Sequence, residues 1–311
     1  MKTSVECLPC FLRQSLQVAR ISGCSHQLQM HVVKQIAAIV TEVDVTRSPP
    51  ANAQLIYQKI ADLTGCEDPY LSLKKESNEA ALKMLSGLRD EISGTVEELS
   101  AAVCFAIAGN IIDYGAFESF NIKKALETGR KKILAVDHSR LLLDRVGSLK
   151  PGATVLYLAD NCGEIVYDSL LIEYLFRQGF TLTVAVKDGP IINDALKEDA
   201  LFAGLDRYAR IISNGTRCPG TVLEECSPEF RELFAAADMI IAKGQGNFES
   251  LSEVEREIFF LLTLKCSVAA RHMAELVGVA PESFPGTGEM AVYCSAKAKN
   301  NRKGGCNEDT R

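Results

Sequence analysis

Thr154-Val155-Leu156-Tyr157-Leu158-Ala159-Asp160-Asn161-Cys162-Gly163-Glu164 is the stretch on which the fold of this chain turns. Its first six residues form an apolar run of strand length, and the segment opening at Glu164 reads as helical. A strand passing straight into a helix is the unit of an open α/β sheet, whose ligand crevice lies outside the carboxyl ends of the strands. Asp160 and Asn161 stand at such an end. Hard oxygen donors at that point suggest a divalent cation.

Working outward, short β-branched runs at 181–186, 210–212, 239–242 and 258–264 alternate with helical segments. This alternation predicts βαβ units and a mostly parallel, doubly wound sheet, an α/β fold. The first half differs. Apolar residues at three- and four-residue spacing, as in Leu12-Ser15-Leu16-Ala19 and Val32-Val33-Ile36-Ile39-Val40, predict helix after helix, with Ile133-Leu134-Ala135-Val136 the one strand-like run. The expected organisation is an N-terminal helical bundle over 1–148, an α/β metal-binding domain over 149–295 and a polar, disordered tail over 296–311. Leu149-Lys150-Pro151-Gly152 is too short for a flexible linker, so the halves should pack firmly.

The 311-residue chain has a formal charge of -6 and a pI near 5.4. That balance gives no electrostatic case for nucleic acid or an anionic membrane surface, both of which need a basic patch. Small soluble substrates are the default. No charge-free apolar run reaches the ~18 residues of a membrane span, and Met1-Lys2-Thr3-Ser4-Val5-Glu6 lacks a signal peptide's apolar core, so a cytoplasmic protein is expected. Eleven cysteines, an odd number scattered through apolar segments, fit a reducing compartment better than a disulfide framework.

Four strand ends finish in polar or glycine-containing sequence: Asp160-Asn161, Lys187-Asp188-Gly189-Pro190 leading to Asn193-Asp194, Ser213-Asn214-Gly215-Thr216, and Lys243-Gly244-Gln245-Gly246-Asn247. Parallel strands would bring them to one rim. There Asp160, Asn161 and Asp194 offer anionic and neutral oxygens with room for water, which suits magnesium or manganese. Asp160, Asn161 and Glu164 form the expected catalytic set, with Glu164 capping the helix or acting as a base behind the ligands. Lys243 adds positive charge, Gly244 and Gly246 let backbone N–H groups approach an oxyanion, and Asn247 belongs to the same loop.

Plainer readings stand beside these. Asp-Asn before a helix is often an N-cap, Gly244-Gln245-Gly246-Asn247 alone is as good a tight turn, and Lys243 alone would be a solvated lysine. Asn110 and Asp113, three apart after the apolar helix at 101–108, could face one direction or simply end that helix. Asp68-Pro69-Tyr70 with Lys74, Lys75 and Asn78 reads better as a helix start with solvated lysines than as a set of substrate contacts. Cys7 and Cys10 share a helical face, but no second C-x-x-C or close histidine pair completes a zinc site. His26, His31, His138 and His272 show no ligand spacing, and Cys162 has no neighbouring histidine to activate it.

Five separated motifs stand in order along the chain: Glu6-Cys7-Leu8-Pro9-Cys10, Gly109-Asn110-Ile111-Ile112-Asp113, Asp160-Asn161-Cys162-Gly163-Glu164, Lys187 through Asp194, and Lys243 through Glu249. Together they resemble the damage-control phosphatase family, once called domain of unknown function 89, in its stand-alone prokaryotic type. The resemblance spans nearly the whole chain. It implies a helical N-terminal region packed on a three-layer αβα sandwich, and metal-dependent hydrolysis of small phosphate monoesters such as sugar phosphates, nucleotides or damaged phosphometabolites. It also implies Asp160, Asn161 and Asp194 as metal ligands and Lys243 as a phosphate contact. Asn110 and Asp113 would line the cleft, and manganese, cobalt, nickel or magnesium would be the metal.

Three functions compete. The first is a metal-dependent phosphatase acting on a small phosphorylated metabolite, in which metal-activated water is preferred to an aspartyl intermediate because position 162 is Cys rather than a second Asp. The second is an S-adenosylmethionine-dependent carboxyl methyltransferase, with Asp188 as the acid ending the second strand, although Asp160-Asn161 replaces the expected glycines. The third is a non-enzymatic thiol or zinc-binding protein built on Cys7 and Cys10. Neither the physiological substrate nor the oligomeric state can be read from the chain.

Overall fold

A computed structural model describes residues 1–95, 97–112 and 134–296, without the side chains of Ser86, Glu91, Asn110, Ile111 and Ile112. Of the expected tail, 297–311 lie outside the described residues. Helices α1 (Cys7–Ile21), α2 (His26–Val40) and α3 (Pro49–Thr64) come first. Their apolar stripes close on one another around Phe11, Val32, Ile36, Ile56 and Ile60, and this small core reaches the rest of the protein through Val268. Ion pairs Arg47–Glu225 and Glu6–Arg271 tie its rim to the second half.

Helices α4 (Leu71–Ile92) and α5 (Glu98–Ile112) follow, then β1 (Leu134–Asp137), α6 (Ser139–Ser148), β2 (Thr154–Leu158), α7 (Glu164–Arg177), β3 (Thr181–Val186) and α8 (Lys197–Phe202). The chain continues through β4 (Arg210–Ser213), α9 (Pro228–Ala236), β5 (Met239–Lys243), α10 (Gly244–Leu251), β6 (Phe259–Leu264), α11 (Ser267–Val277) and β7 (Glu289–Cys294). The strands form one sheet in the order β1-β7-β6-β5-β2-β3-β4. Neighbours from β4 across to β6 are parallel, β7 is antiparallel to β6, and β1 is parallel to β7.

Strand periodicity explains the layers. Val155 and Tyr157 enter one core, while Leu156 and Leu158 enter the other, so both faces of the sheet are apolar and both must be covered. Helices α4 to α8 pack on the first face and α9 to α11 on the second. The result is the three-layer αβα sandwich with a mostly parallel, doubly wound sheet that the sequence leads one to expect.

The expected boundary at 148/149 does not coincide with the packing. Strand β1 is hydrogen-bonded into the sheet, and α4, α5 and α6 share the sandwich core, which leaves only α1 to α3 with a core of their own. Helix α5 shows the reason: Ala101, Ala102, Val103, Phe105, Ala106, Ile107 and Ala108 are all buried, and a helix apolar on every side needs cover on every side. Strand β7, absent from the sequence reading, supplies the partner that β1 requires.

The winding fixes where a ligand goes. The chain runs β2, β3, β4 in one direction, then returns with β5 on the opposite side of β2 and continues to β6. The order therefore reverses between β2 and β5, and a crevice opens there, outside their carboxyl ends. Among the described residues no helix is long and apolar enough to cross a membrane.

Candidate metal and phosphate site

Leu158 pairs with Ala242 across β2 and β5, so Asp160-Asn161 and Lys243-Gly244 leave the sheet side by side at the switch point. Asp194 arrives from the β3 side. The Ala195 amide donates to the Asp160 carbonyl (2.8 Å), the Cys162 amide donates to the Asn193 carbonyl (2.9 Å), and Asn161 and Asp194 form an antiparallel bridge. Asp194 is presented by a tight turn in which its amide donates to the Ile191 carbonyl (3.0 Å). Ile192, inside that turn, holds a φ of 46°. A β-branched residue pays for such a backbone conformation only where its surroundings fix it, and Ile192 packs on the core of the helical bundle.

Gly163, at φ 76°, turns the chain from Asn161 into α7. Its amide donates to Asn78 Oδ1 (2.6 Å), and Asn78 Nδ2 donates to Asp199 Oδ1 (2.7 Å). The helical region thus clamps the turn that carries Asp160 and Asn161. Asn78 and Lys74 are a helical turn apart on α4 and both are buried; Lys74 pairs with Asp68 at 2.6 Å. This corrects the reading of Lys74 as solvated, whereas Lys75 is exposed.

Asp160, Asn161 and Asp194 are all buried. Asn161 Nδ2 donates to Asp160 Oδ2 (2.6 Å) and to Glu164 Oε2 (3.0 Å). Asp194 Oδ2 is buried without a hydrogen bond, and Lys187 Nζ stands 3.5 Å away while donating to the Gly220 carbonyl at 3.0 Å. Burial drives the Asp160 carboxyl well above the usual range, reinforced by Glu164 and Asp194. Burial likewise lifts Asp194 to about 6, against the opposing pull of Lys187. Two desolvated carboxylates that disfavour their own charge, one with an oxygen met only by the Lys187 ammonium at 3.5 Å, are a donor set that a cation would complete.

Among the described residues no group of three or more His, Cys, Asp or Glu side chains is arranged to hold a metal. Asp160, Asn161 and Asp194 fit the other pattern, in which two carboxylates and an amide oxygen leave most of the shell to water and substrate, as magnesium and manganese tolerate.

Lys243 is placed differently from the expected phosphate contact. Strand parity sets Met239, Ile241 and Lys243 on the face toward α5 and α7, and the side chain is 0 % exposed. Its ammonium donates to Glu164 Oε1 (2.5 Å), Asp168 Oδ1 (2.7 Å) and the Ala106 carbonyl (2.7 Å). All three donors are used inside the protein. Glu164 is correspondingly engaged at both oxygens, one by Lys243 and one by Asn161.

The glycines and Asn247 also serve the protein's own groups. A Cβ on Gly244 would overlap the Asp160 carboxylate, and one on Gly246 would overlap the Pro219 carbonyl. Asn247 is fully buried, donates to the carbonyls of Lys243 (2.8 Å) and Ala159 (3.3 Å), and receives Thr221 (2.7 Å). It ties the ends of β2 and β5 together and does not line the crevice. Asn110 sits in α5 directly after Gly109, where a Cβ would lie 3.2 Å from Glu164 Cα, so the helix delivers that position beside the site. The Asn110 side chain and all of Asp113 fall outside the described residues.

Lys187, Lys74 and Asn78, which the sequence reading named without giving them a role in the site, and Asp168, which it did not name, belong to the surroundings of the site. Glu164 and Asp168 are one helical turn apart, a spacing that could have exposed the second carboxylate. The described cysteines are free, and burial raises the Cys7 thiol to about 11, the wrong direction for a reactive thiolate. Burial also raises Cys162.

Fold and site define an α/β protein of the doubly wound class, with an oxygen-rich, desolvated crevice at its switch point. Residues 3–278 match the model of the damage-control phosphatase ARMT1-like domain, and the chain belongs to that family. It is 35 % identical over 277 residues to the damage-control phosphatase PH1575 of Pyrococcus horikoshii, covering 88 % of this chain and 94 % of that one. A damage-control phosphatase of Archaeoglobus fulgidus is 33 % identical over 292 residues, with 89 % and 97 % covered. The crystal structure of the DUF89 family protein from Pyrococcus horikoshii superposes with a TM-score of 0.80 at 33 % identity, covering 95 % of this chain and 99 % of that chain.

Proposed function

We propose that this protein is a metal-dependent phosphatase that hydrolyses small phosphate monoesters. The observation that carries the reading is the backbone pairing of 160–162 with 193–195, which sets Asp160, Asn161 and Asp194 together at the switch point with a buried, unsatisfied carboxylate oxygen facing Lys187. Family membership and two relatives named damage-control phosphatases support it.

A divalent cation held by Asp160, Asn161 and Asp194, whether manganese, cobalt, nickel or magnesium, would screen phosphate charge and lower the pKa of a water. The chain's own residues do the rest. Lys187, 3.5 Å from Asp194, would receive a phosphate oxygen, in the role first given to Lys243. Asn78 and Asn247 hold the two strand ends rigid, so that the ligands keep one geometry.

Purified protein supplied with each of the four cations should release phosphate from p-nitrophenyl phosphate and from some members of a phosphometabolite panel. Asp160→Ala should abolish that release, because losing a ligand removes most of the catalysis. Equal turnover by the variant would end the proposal.

A further inference from the structure

We infer that Lys243 acts on the cation site as a positioning residue, through Glu164, by fixing which end of the Asn161 amide faces the cation; the inference rests on the phosphatase reading. An amide has its donors on Nδ2 and its acceptor on Oδ1, so its orientation is set by what Nδ2 meets. In Asn161, Nδ2 meets two carboxylates, Asp160 Oδ2 at 2.6 Å and Glu164 Oε2 at 3.0 Å. With the nitrogen held there, Oδ1 is the atom turned away from both carboxylates and presented as a ligand. The reversed amide would set an oxygen against two carboxylates and point N–H groups at a cation.

Glu164 can hold Asn161 only while its own carboxylate is held. Its other oxygen accepts from Lys243 Nζ at 2.5 Å, and Lys243 is anchored in turn by Asp168 Oδ1 and the Ala106 carbonyl, each at 2.7 Å. The lysine backbone is fixed as well, since Asn247 Nδ2 donates to the Lys243 carbonyl at 2.8 Å. Every side chain in the sequence Lys243, Glu164, Asn161 is buried, so water offers no competing partner.

The relay makes a distinctive demand on an isosteric change. In Glu164→Gln the new amide turns its oxygen to Lys243, because Lys243 only donates, and so opposes its NH2 group to the Asn161 NH2 group. Asn161 is driven to reverse. In Lys243→Met/Glu164→Gln the glutamine is released from the lysine and can offer its oxygen to Asn161 again.

Manganese is titrated calorimetrically into the metal-stripped full chain, and inorganic phosphate is then titrated into the manganese-saturated protein. Glu164→Gln should weaken manganese binding by roughly 10–100-fold, the usual effect of losing a partner behind a ligand, with phosphate affinity at saturating manganese little changed. The double variant should regain part of the lost manganese affinity, which a purely structural lesion would not do. Unchanged manganese affinity in Glu164→Gln overturns the relay, and that isosteric variant decides the matter alone if the double variant does not fold. In Lys243→Met, phosphate affinity lost with manganese affinity intact also overturns it, by making the lysine a direct phosphate contact. Should the unmodified protein bind none of the four cations, the phosphatase reading falls and the relay with it, whereas the first two results remove the relay alone.

Discussion

Gly244 leaves space that Asp160 occupies: any side chain at Gly244 would run into the Asp160 carboxylate, and the glycine holds a φ of 75°. The two residues end neighbouring strands, so the glycine that opens α10 makes room for a candidate metal ligand from β2. Gly244→Ala should cost about 1–3 kcal/mol from the left-handed backbone alone. It should also displace Asp160, so thermal melts should show a lower Tm and calorimetry a weaker manganese affinity. Manganese binding at the unmodified strength would mean that Asp160 does not depend on this contact.

Asn78 joins the helical half to the turn that carries Asp160 and Asn161. Asn78→Ala leaves the buried Gly163 amide without its acceptor, a loss of about 1–3 kcal/mol measurable by urea denaturation. Manganese affinity should fall with it. The exposed neighbour Lys75, changed to Ala, should leave both quantities unaltered.

Lys187→Met addresses phosphate reception. At pH 8 with saturating manganese, inorganic phosphate should bind roughly 10–100-fold more weakly, the worth of one charge-assisted hydrogen bond in a dry site. The alkaline condition matters because Lys187 lowers the pKa of Asp194, and without it protons compete harder for that carboxylate. Phosphate affinity equal to that of the unmodified protein would assign the role elsewhere.

Asp168 gives a pH dependence of stability alongside those of the buried Asp160 and Asp194. Burial raises its carboxyl to about 7 from an ordinary value of 3.8, with Lys243 pulling the other way. A folded-state pKa above the unfolded value means that the folded state binds the proton more tightly. The contribution to stability is therefore complete below the unfolded pKa and is lost as pH rises through the folded one. The metal-free protein should lose stability between about pH 4 and about pH 7, and Asp168→Asn should flatten that slope in denaturation curves collected across the range. A slope identical in the variant would show that Asp168 ionises freely.

The strand ends Asp160-Asn161 and Asn193-Asp194 were legible because a parallel α/β sheet sends such ends to one rim whatever the details of packing. The orientation of Lys243 was not. A lysine after an apolar run reads as a group facing ligand or water, and only the presence of Glu164 and Asp168 on the covering helix makes full burial tolerable. Parity along 239–243 puts Lys243 on the face of Met239 and Ile241, and what covers that face is set by the tertiary structure. The glycines are places of close approach, where a Cβ would meet the Asp160 carboxylate and the Pro219 carbonyl. The packing runs across 148/149 for a related reason: local periodicity reports that a segment is helical and apolar, not which neighbour it is buried against.

By itself the sequence determined the alternation of strands and helices, the doubly wound class and the oxygen donors at the carboxyl rim, since these follow from local periodicity and from the chirality of chain connections, and its motifs carried the family resemblance. The tertiary structure decided which lysine stands beside Asp194 and which is sealed against Glu164 and Asp168, how Asn78 reaches the turn at Gly163, and where the helical half joins the sandwich. Those are contacts between residues far apart in the chain, and their strength depends on burial and on partners that no local pattern encodes.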